Sequence, residues 1–513
     1  MSSLATMALH EYQATGRPNL MATIQREAPL NPSTGDIEGR GSGSDLFRAV
    51  VLGAMAGGMG WGIRGQYGHE TGAMIAGVLI GFVAVLLFIP RAPSLRGARA
   101  VALTAVGIAF GGSMTYGQTI GLTHSPLLVG NWAVLRWGML GLFLKGGIWF
   151  GFAGTFLGIG LGGKRWRPLE MLALLVAMMG LIVVGMRVLN QPFDPAHRIL
   201  PPLYFSFDWY WQPNAGPELK PRPEVWGGLL FALAGLTAYA QWVRGDRLAR
   251  NMTGVGFLAG GLGFPLGQCI QAFYGWNREL FQSGAWQTVA TYTNWWNMME
   301  TTFGAIGGGG LALGLWWNRR LISDDPAEDE VSITPPWEFA MVAAHLILLV
   351  GAEFSLIPGL SPFLEFGTCM AVLALPGIVG GRYWPYLFSL PIVAVPIAGK
   401  TLLALAYKEQ VLSRPLGWGL LVVIPLGLAL AVALQLVRRG RAGQPAVRFA
   451  ATGLLLTTWL YFSLNFAFFR WPWPWAEWTK RTPNALIFAV CAVGLTVAAL
   501  RMPRSTAGSA VRE

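Results

Sequence analysis

The chain has 513 residues, of which 53% are hydrophobic and only 12% charged, with a mean hydropathy of +0.47. Soluble domains average about 25% charged residues, so water is excluded as the solvent for most of this surface. The formal charge of +12 would suit a polyanion only if Lys and Arg formed a patch or stripe. Here they sit in short clusters between apolar runs. No nucleic acid is expected as a partner, and the charge reads as a record of membrane topology.

In chain order, residues 1–44 are polar and rich in Gly, Ser and Pro, and lack the apolar core of a cleavable signal. They are read as a disordered cytoplasmic tail. A bilayer core of about 30 Å needs roughly 17 to 25 apolar residues per helix. Fourteen runs meet this, at 46–63, 72–89, 100–118, 140–161, 169–188, 225–242, 253–273, 297–317, 336–352, 364–380, 385–406, 416–437, 447–466 and 483–501. The fold expected is all-α, a polytopic integral membrane protein built as serial helical hairpins with internal repeats. A Gly-rich group of about eight helices over 45–321 precedes an acidic cytoplasmic linker, 322–335. A second group of about six helices covers 336–501, and 502–513 form a cytoplasmic tail.

Alternate loops carry Arg91, Arg96 and Arg99, then Lys164, Arg165 and Arg167, then Arg244, Arg247 and Arg250, then Arg319 and Arg320, then Arg438, Arg439 and Arg441. The excess of Lys and Arg marks the cytoplasmic side, so both termini are placed inside, across the inner membrane of a cell. The preponderance of Arg over Lys associates the chain with GC-rich bacterial genomes. The other loops, including the Trp-, Tyr- and Pro-rich segment 189–224, fall outside.

A repeat is read in three Gly-Gln pairs, Gly65-Gln66, Gly117-Gln118 and Gly267-Gln268, taken as outer helix ends. Each is followed by an ionisable residue with small neighbours: Glu70-Thr71-Gly72, Lys145-Gly146-Gly147 and Glu300-Thr301-Thr302. Gly53/Gly57, Gly154/Gly158, Gly256/Gly260 and Gly310/Gly314 make small-xxx-small steps that let helix backbones approach.

Ionisable groups inside a membrane are costly unless they pair or face water, which makes them functional candidates. The run Trp61 to Gly72 concentrates Arg64, Gln66, His69 and Glu70 in a turn too short for a solvated loop. Lys145 and Glu300 occupy matching depths, with Gln118, Gln268, Asn294, Trp295 and Asn297 near them in the reading. The partners expected are Arg64 with Glu70 and Lys145 with Glu300. These eleven residues are the candidate substrate-binding set. Trp295 and Trp296 also fit an aromatic belt, and His345 a satisfied packing role. Cys269, Cys369 and Cys491 match no metal spacing, the histidines lack the H-E-x-x-H register, and no nucleotide-binding P-loop is present. No cofactor or metal is expected. The partners expected are the lipid bilayer and a small polar solute. The function expected is a transporter or permease with an outward-facing polar cavity for a small polar or anionic solute. Alternatives are a membrane-embedded enzyme acting at the extracytoplasmic face on a lipid-linked or carbohydrate substrate, and a structural or sensory membrane protein.

Overall fold

Backbone N–H and C=O groups in an apolar solvent must be satisfied within their own segment, which leaves the α-helix as the default element for apolar runs. The computed structural model describes residues 43–65, 67–68, 70–214, 216, 220–323, 330–466 and 484–501, and these are helical, with two isolated bridges and no strand. In chain order the main helices are α1 (Gly43–Arg64), α2 (Glu70–Phe88), α3 (Ser94–Gly111), the short α4 (Gly117–His124), α5 (Trp132–Leu161), α6 (Pro168–Leu189) and α7 (Trp226–Ala238). They continue with α8 (Arg247–Trp276), α9 (Gly284–Tyr292), α10 (Trp295–Trp317), α11 (Pro335–Glu353), α12 (Gly367–Gly380), α13 (Trp384–Lys408), α14 (Arg414–Arg441), α15 (Ala446–Phe466) and α16 (Asn484–Leu500). A helix overlies each of the fourteen apolar runs. Among the described residues, eight helices are long and apolar enough to cross a membrane. The tail before residue 43, residues 324–329 of the acidic linker, residues 467–483 and residues 502–513 lie outside the described residues.

The outer faces are apolar. Along α6, Leu169, Val176, Val183 and Val188 are exposed, and on α16 so are Leu486 and Val490. Contiguous apolar surface of this kind marks an interaction with membrane or protein.

Glycines set the inner spacing. A Cβ on Gly57 would fall on the Gly304 carbonyl, and one on Gly53 would fall on the Gly308 carbonyl. Helices α1 and α10 therefore cross antiparallel with backbones in contact. Helices α5 and α8 do the same, with Gly146 against Gly260, Gly256 against the Phe150 carbonyl and Gly158 against Ala249. Gly310 and Gly314 meet Ala259 and Val255 of α8. Each small-xxx-small step read from the sequence lies at such a crossing.

The basic loops meet at one end of the bundle. Ala446 donates to the Ala92 carbonyl at 2.7 Å, Ser323 to Leu161 at 3.1 Å, and Asn251 to Asn318 at 2.7 Å. Arg96 and Arg99, expected in a loop, belong to the first turns of α3 instead. They are buried because carbonyls accept their guanidinium protons: Leu161 from Arg96, and Glu330 and Gly381 from Arg99.

The reading of Gly267-Gln268 as a helix end is overturned, since α8 runs through Pro265 and on to Trp276. Glycine does not break a helix whose backbone has no water to turn to. Helices also cross the acidic linker, with α3 packing on α12 and α15. Helix α13 is interrupted by Pro391 and Pro396 and by π turns at Phe388–Ile392 and Leu403–Lys408. The Glu338 carboxylate of α11 caps its start, accepting from the N–H groups of Tyr383 and Trp384 at 2.5 Å each.

Candidate functional site

The antiparallel register of α1 and α10 carries the last turn of α1 to the first turns of α10, at the end of the bundle opposite the basic loops. There Arg64 Nη1 donates to Glu300 Oε1 at 2.8 Å and to the Tyr116 hydroxyl. Tyr116 Oη in turn reaches Glu300 Oε1 at 3.5 Å. Both charges are sealed, Arg64 being 2% and Glu300 1% exposed. A cation at a helix C-terminus and an anion near a helix N-terminus are each favoured by the backbone dipoles. Helix geometry thus supplies part of what water would have supplied. Arg64 also lies 5.1 Å from the ring centres of Tyr116 and Trp149 and 5.6 Å from that of Trp61, a cage of three cation–π contacts.

Beside this pair opens a cavity of about 270 Å³, lined by Arg64, Tyr116, Asn294, Trp296, Asn297 and Glu300 together with backbone of Gly65 and Gly68. Gly65 has no room for a side chain, because a Cβ there would meet the Glu300 carboxylate. Asn294 caps α10 by accepting from the Asn297 N–H at 3.0 Å. The Asn297 amide donates to the Gly62 carbonyl and accepts from Asn484 of α16, each at 2.5 Å. The cavity wall is therefore held from behind by α1, α10 and α16. From the second helix group, Lys400 Nζ of α13 donates to the Tyr67 carbonyl at 2.6 Å, on the turn that follows Arg64. Beneath Arg64 the floor is aromatic: Trp61 packs on Trp149 at 4.8 Å and on Phe303 at 4.7 Å, and Phe303 stacks on Phe264 at 4.4 Å.

Lys145 belongs elsewhere. Its ammonium donates to Glu224 Oε1 at 2.7 Å, Thr119 Oγ1 at 2.7 Å and the Thr115 carbonyl at 2.8 Å, using all three protons. Glu224 further accepts from the Ser206 hydroxyl, the Phe205 N–H and the Trp226 indole N–H. The expected pairing of Lys145 with Glu300 is therefore corrected. The segment between α6 and α7 folds onto the bundle and brings Glu224 to Lys145, leaving Glu300 to Arg64. Arg64 is thus paired with Glu300, whereas the Glu70 side chain expected to face it lies outside the described residues, as do Gln66 and His69.

The remaining candidates are dispersed. Gln118 donates to the Lys220 carbonyl at 3.2 Å and Gln268 to Thr123 Oγ1 at 2.7 Å. Trp295 stacks on Tyr274 at 4.7 Å, while its neighbour Trp296 faces the cavity. Of the eleven candidates, Arg64, Asn294, Asn297 and Glu300 converge. Tyr116 was missed, and a tyrosine one residue before the flagged Gly117-Gln118 was the only signal for it. His345 is not satisfied as expected. Neither ring nitrogen has a hydrogen-bond partner among the described residues, and the ring packs against Phe363, Trp384 and Phe388.

The segment between α6 and α7 has its own titrating group. Asp208 accepts from the N–H groups of Tyr210 and Trp211, yet burial pushes its carboxyl up to about 6, with Glu224 adding repulsion against those two stabilising bonds. His124 and His197 hydrogen-bond separately, to the Ile120 carbonyl and to Asp194. No three His, Cys, Asp or Glu side chains gather into a metal-sized group among the described residues. Set against known proteins, the chain matches no family model and no curated protein.

Proposed function

We propose that this chain is a fourteen-helix protein of the inner membrane, with both termini in the cytoplasm, that acts as a transporter or permease for a small polar solute taken from the extracytoplasmic side. The single observation that carries this is the Arg64–Glu300 pair, buried in an apolar bundle and bordering a cavity of about 270 Å³. A charge pair whose only task is to pin helices gains from complete closure, as Lys145 and Glu224 have. One that keeps a cavity at its side has a surface for a ligand.

Three features support the rest of the reading. The basic loops gather at the end opposite the cavity, which orients the cavity outward by the positive-inside tendency. The aromatic floor closes the cavity toward the basic end, as an outward-facing transporter requires. Proline- and π-interrupted α13, whose Lys400 touches the turn beside the cavity, is the kind of broken helix found around transporter sites. The solute is small and polar, with hydrogen bonds from the asparagines and a platform in Trp296. Because Glu300 already neutralises Arg64, an anion would have to displace it.

A membrane-embedded enzyme acting at the outer face on a carbohydrate or lipid-linked substrate is the second reading. It is favoured by the Tyr116 hydroxyl, which touches both Arg64 and Glu300 as a proton-transfer group would.

The test is a thermal-shift screen of the purified full chain against monosaccharides, amino acids, carboxylates and phosphate, followed by uptake of the hits into proteoliposomes. A stabilising solute that enters vesicles, and that no longer stabilises Arg64→Gln or Glu300→Gln protein, is the expected result. Conversion of the solute without uptake would establish the enzyme. Equal stabilisation of wild type and both variants would place binding elsewhere and overturn the site.

A further inference from the structure

A second and larger concavity lies on the flank of the bundle, between α7 and α8. It measures about 530 Å³ and is apolar along most of its length, with Leu233, Ala234 and Phe257 among its walls. Its character changes at one end. There the lining ends in Gln241 and Arg250, beside the first turn of α8 and thus at the basic end of the molecule. Arg250 hydrogen-bonds only the neutral amide of Asn251, from Nε at 3.0 Å and Nη2 at 2.7 Å, and has no carboxylate partner among the described residues. The Gln241 amide oxygen is buried without a partner among the described residues.

Two backbone features keep the groove open. Residues Tyr239–Val243 form a π turn, a local widening often found at functional positions. At Gly254 an added Cβ would meet nothing within contact distance, so this glycine is not there for helix packing. A cation at the polar mouth of an apolar slot between membrane helices matches the outline of a phospholipid. Basic pockets between helices on the cytoplasmic side are suited to anionic headgroups.

We infer that this groove binds one anionic phospholipid of the cytoplasmic leaflet. An acyl chain would lie along Leu233 and Phe257, the phosphate would meet Arg250, and a headgroup hydroxyl would donate to Gln241. The charge decides the class. Arg250 offers a guanidinium without an anion, which phosphatidylglycerol supplies without a compensating positive group, whereas phosphatidylcholine brings its own cation. This site rests on the membrane placement proposed above, with the basic end facing the cytoplasm, and is independent of the other cavity and of transport.

The experiment uses the full chain, delipidated in neutral detergent, with thermal unfolding followed as phosphatidylglycerol, phosphatidylcholine or inorganic phosphate is added. Native mass spectrometry counts the bound lipid. The expected result is one retained phosphatidylglycerol and a larger rise in Tm with it than with phosphatidylcholine, with inorganic phosphate inert. Arg250→Gln should bind phosphatidylglycerol about fivefold more weakly, the loss of one basic contact at a membrane surface, and should bind phosphatidylcholine as before. Gly254→Leu, which fills open space, should abolish the effect of both lipids while leaving the lipid-free Tm unchanged. Equal stabilisation by both lipids in wild type and Arg250→Gln, or stabilisation by phosphate alone, would overturn the proposal. So would a wild-type dimer that Gly254→Leu dissociates, since a second copy would then be the occupant.

Discussion

Among the described residues two ion pairs are sealed, and they differ in what surrounds them. Around Lys145 and Glu224 every ammonium proton has an acceptor, and the carboxylate accepts from a hydroxyl, a backbone N–H and an indole as well. Around Arg64 and Glu300 the neighbours are aromatic faces, a tyrosine and a cavity. Equal burial therefore does not mean equal purpose. The first pair locks the segment between α6 and α7 onto α5. The second lies at the edge of a cavity of about 270 Å³.

Breaking the locked pair should have the largest effect. Lys145→Met leaves the buried Glu224 carboxylate without its cation, and removal of one partner from a buried pair costs about 3–5 kcal/mol. The measurement is Tm of the full chain in detergent, and Lys145→Met combined with Glu224→Leu should recover much of the loss. If the single change left Tm unaltered, the two pairs would not differ in the way described.

Next comes Glu300→Gln, which keeps shape while removing charge. Arg64 keeps the Tyr116 hydroxyl and its three aromatic rings, so the fall in Tm should be smaller than for Lys145→Met, while binding of the solute found in the screen is lost. A fall in Tm as large as that of Lys145→Met would make this a second lock. Trp296→Ala sharpens the contrast further. It should weaken solute binding by about 1 kcal/mol through the lost ring face, with Tm almost unchanged, as read by isothermal titration.

The smallest effect concerns pH. Asp208 has a carboxyl raised to about 6 by burial, so the folded segment between α6 and α7 holds its proton more tightly than the unfolded chain does. The stabilisation is complete below the ordinary carboxylate value of about 3.9 and is lost as pH rises through about 6. Hydrogen exchange over residues 204–212, corrected for the intrinsic pH dependence, should show easier opening at pH 7 than at pH 4.5. Asp208→Asn should remove the difference.

Much of the helical pattern could be read from the sequence because it is local. A run of apolar residues has one solution in an apolar solvent, and a glycine every fourth residue on Gly53 and Gly57 or Gly256 and Gly260 announces a close crossing wherever its partner lies. The pairing of charges is a long-range fact. Arg64 and Glu300 are 236 residues apart, and nothing local separates Glu300 from Glu224 as a partner for Lys145. That choice follows from how segment 189–224 folds back, which depends on Phe205, Ser206 and Trp226 together. Tyr116 stayed hidden for the same reason, since only the packed bundle brings its hydroxyl to Arg64. Gly267-Gln268 misled in the opposite direction, because a glycine that signals a turn in a polar segment is ordinary within a long apolar helix.

The glycine seam between α1 and α10 also divides the molecule mechanically. Two rods whose backbones touch have no side-chain layer to shear and no slack in which to slide, so they move as one piece with Arg64 and Glu300 mounted at its tip. Compliance is concentrated instead in α13, where prolines and widened turns remove restoring hydrogen bonds. A rigid beam carrying the charges and a jointed strut reaching its tip through Lys400 together form a lever, and rocking of the strut is the motion this architecture favours.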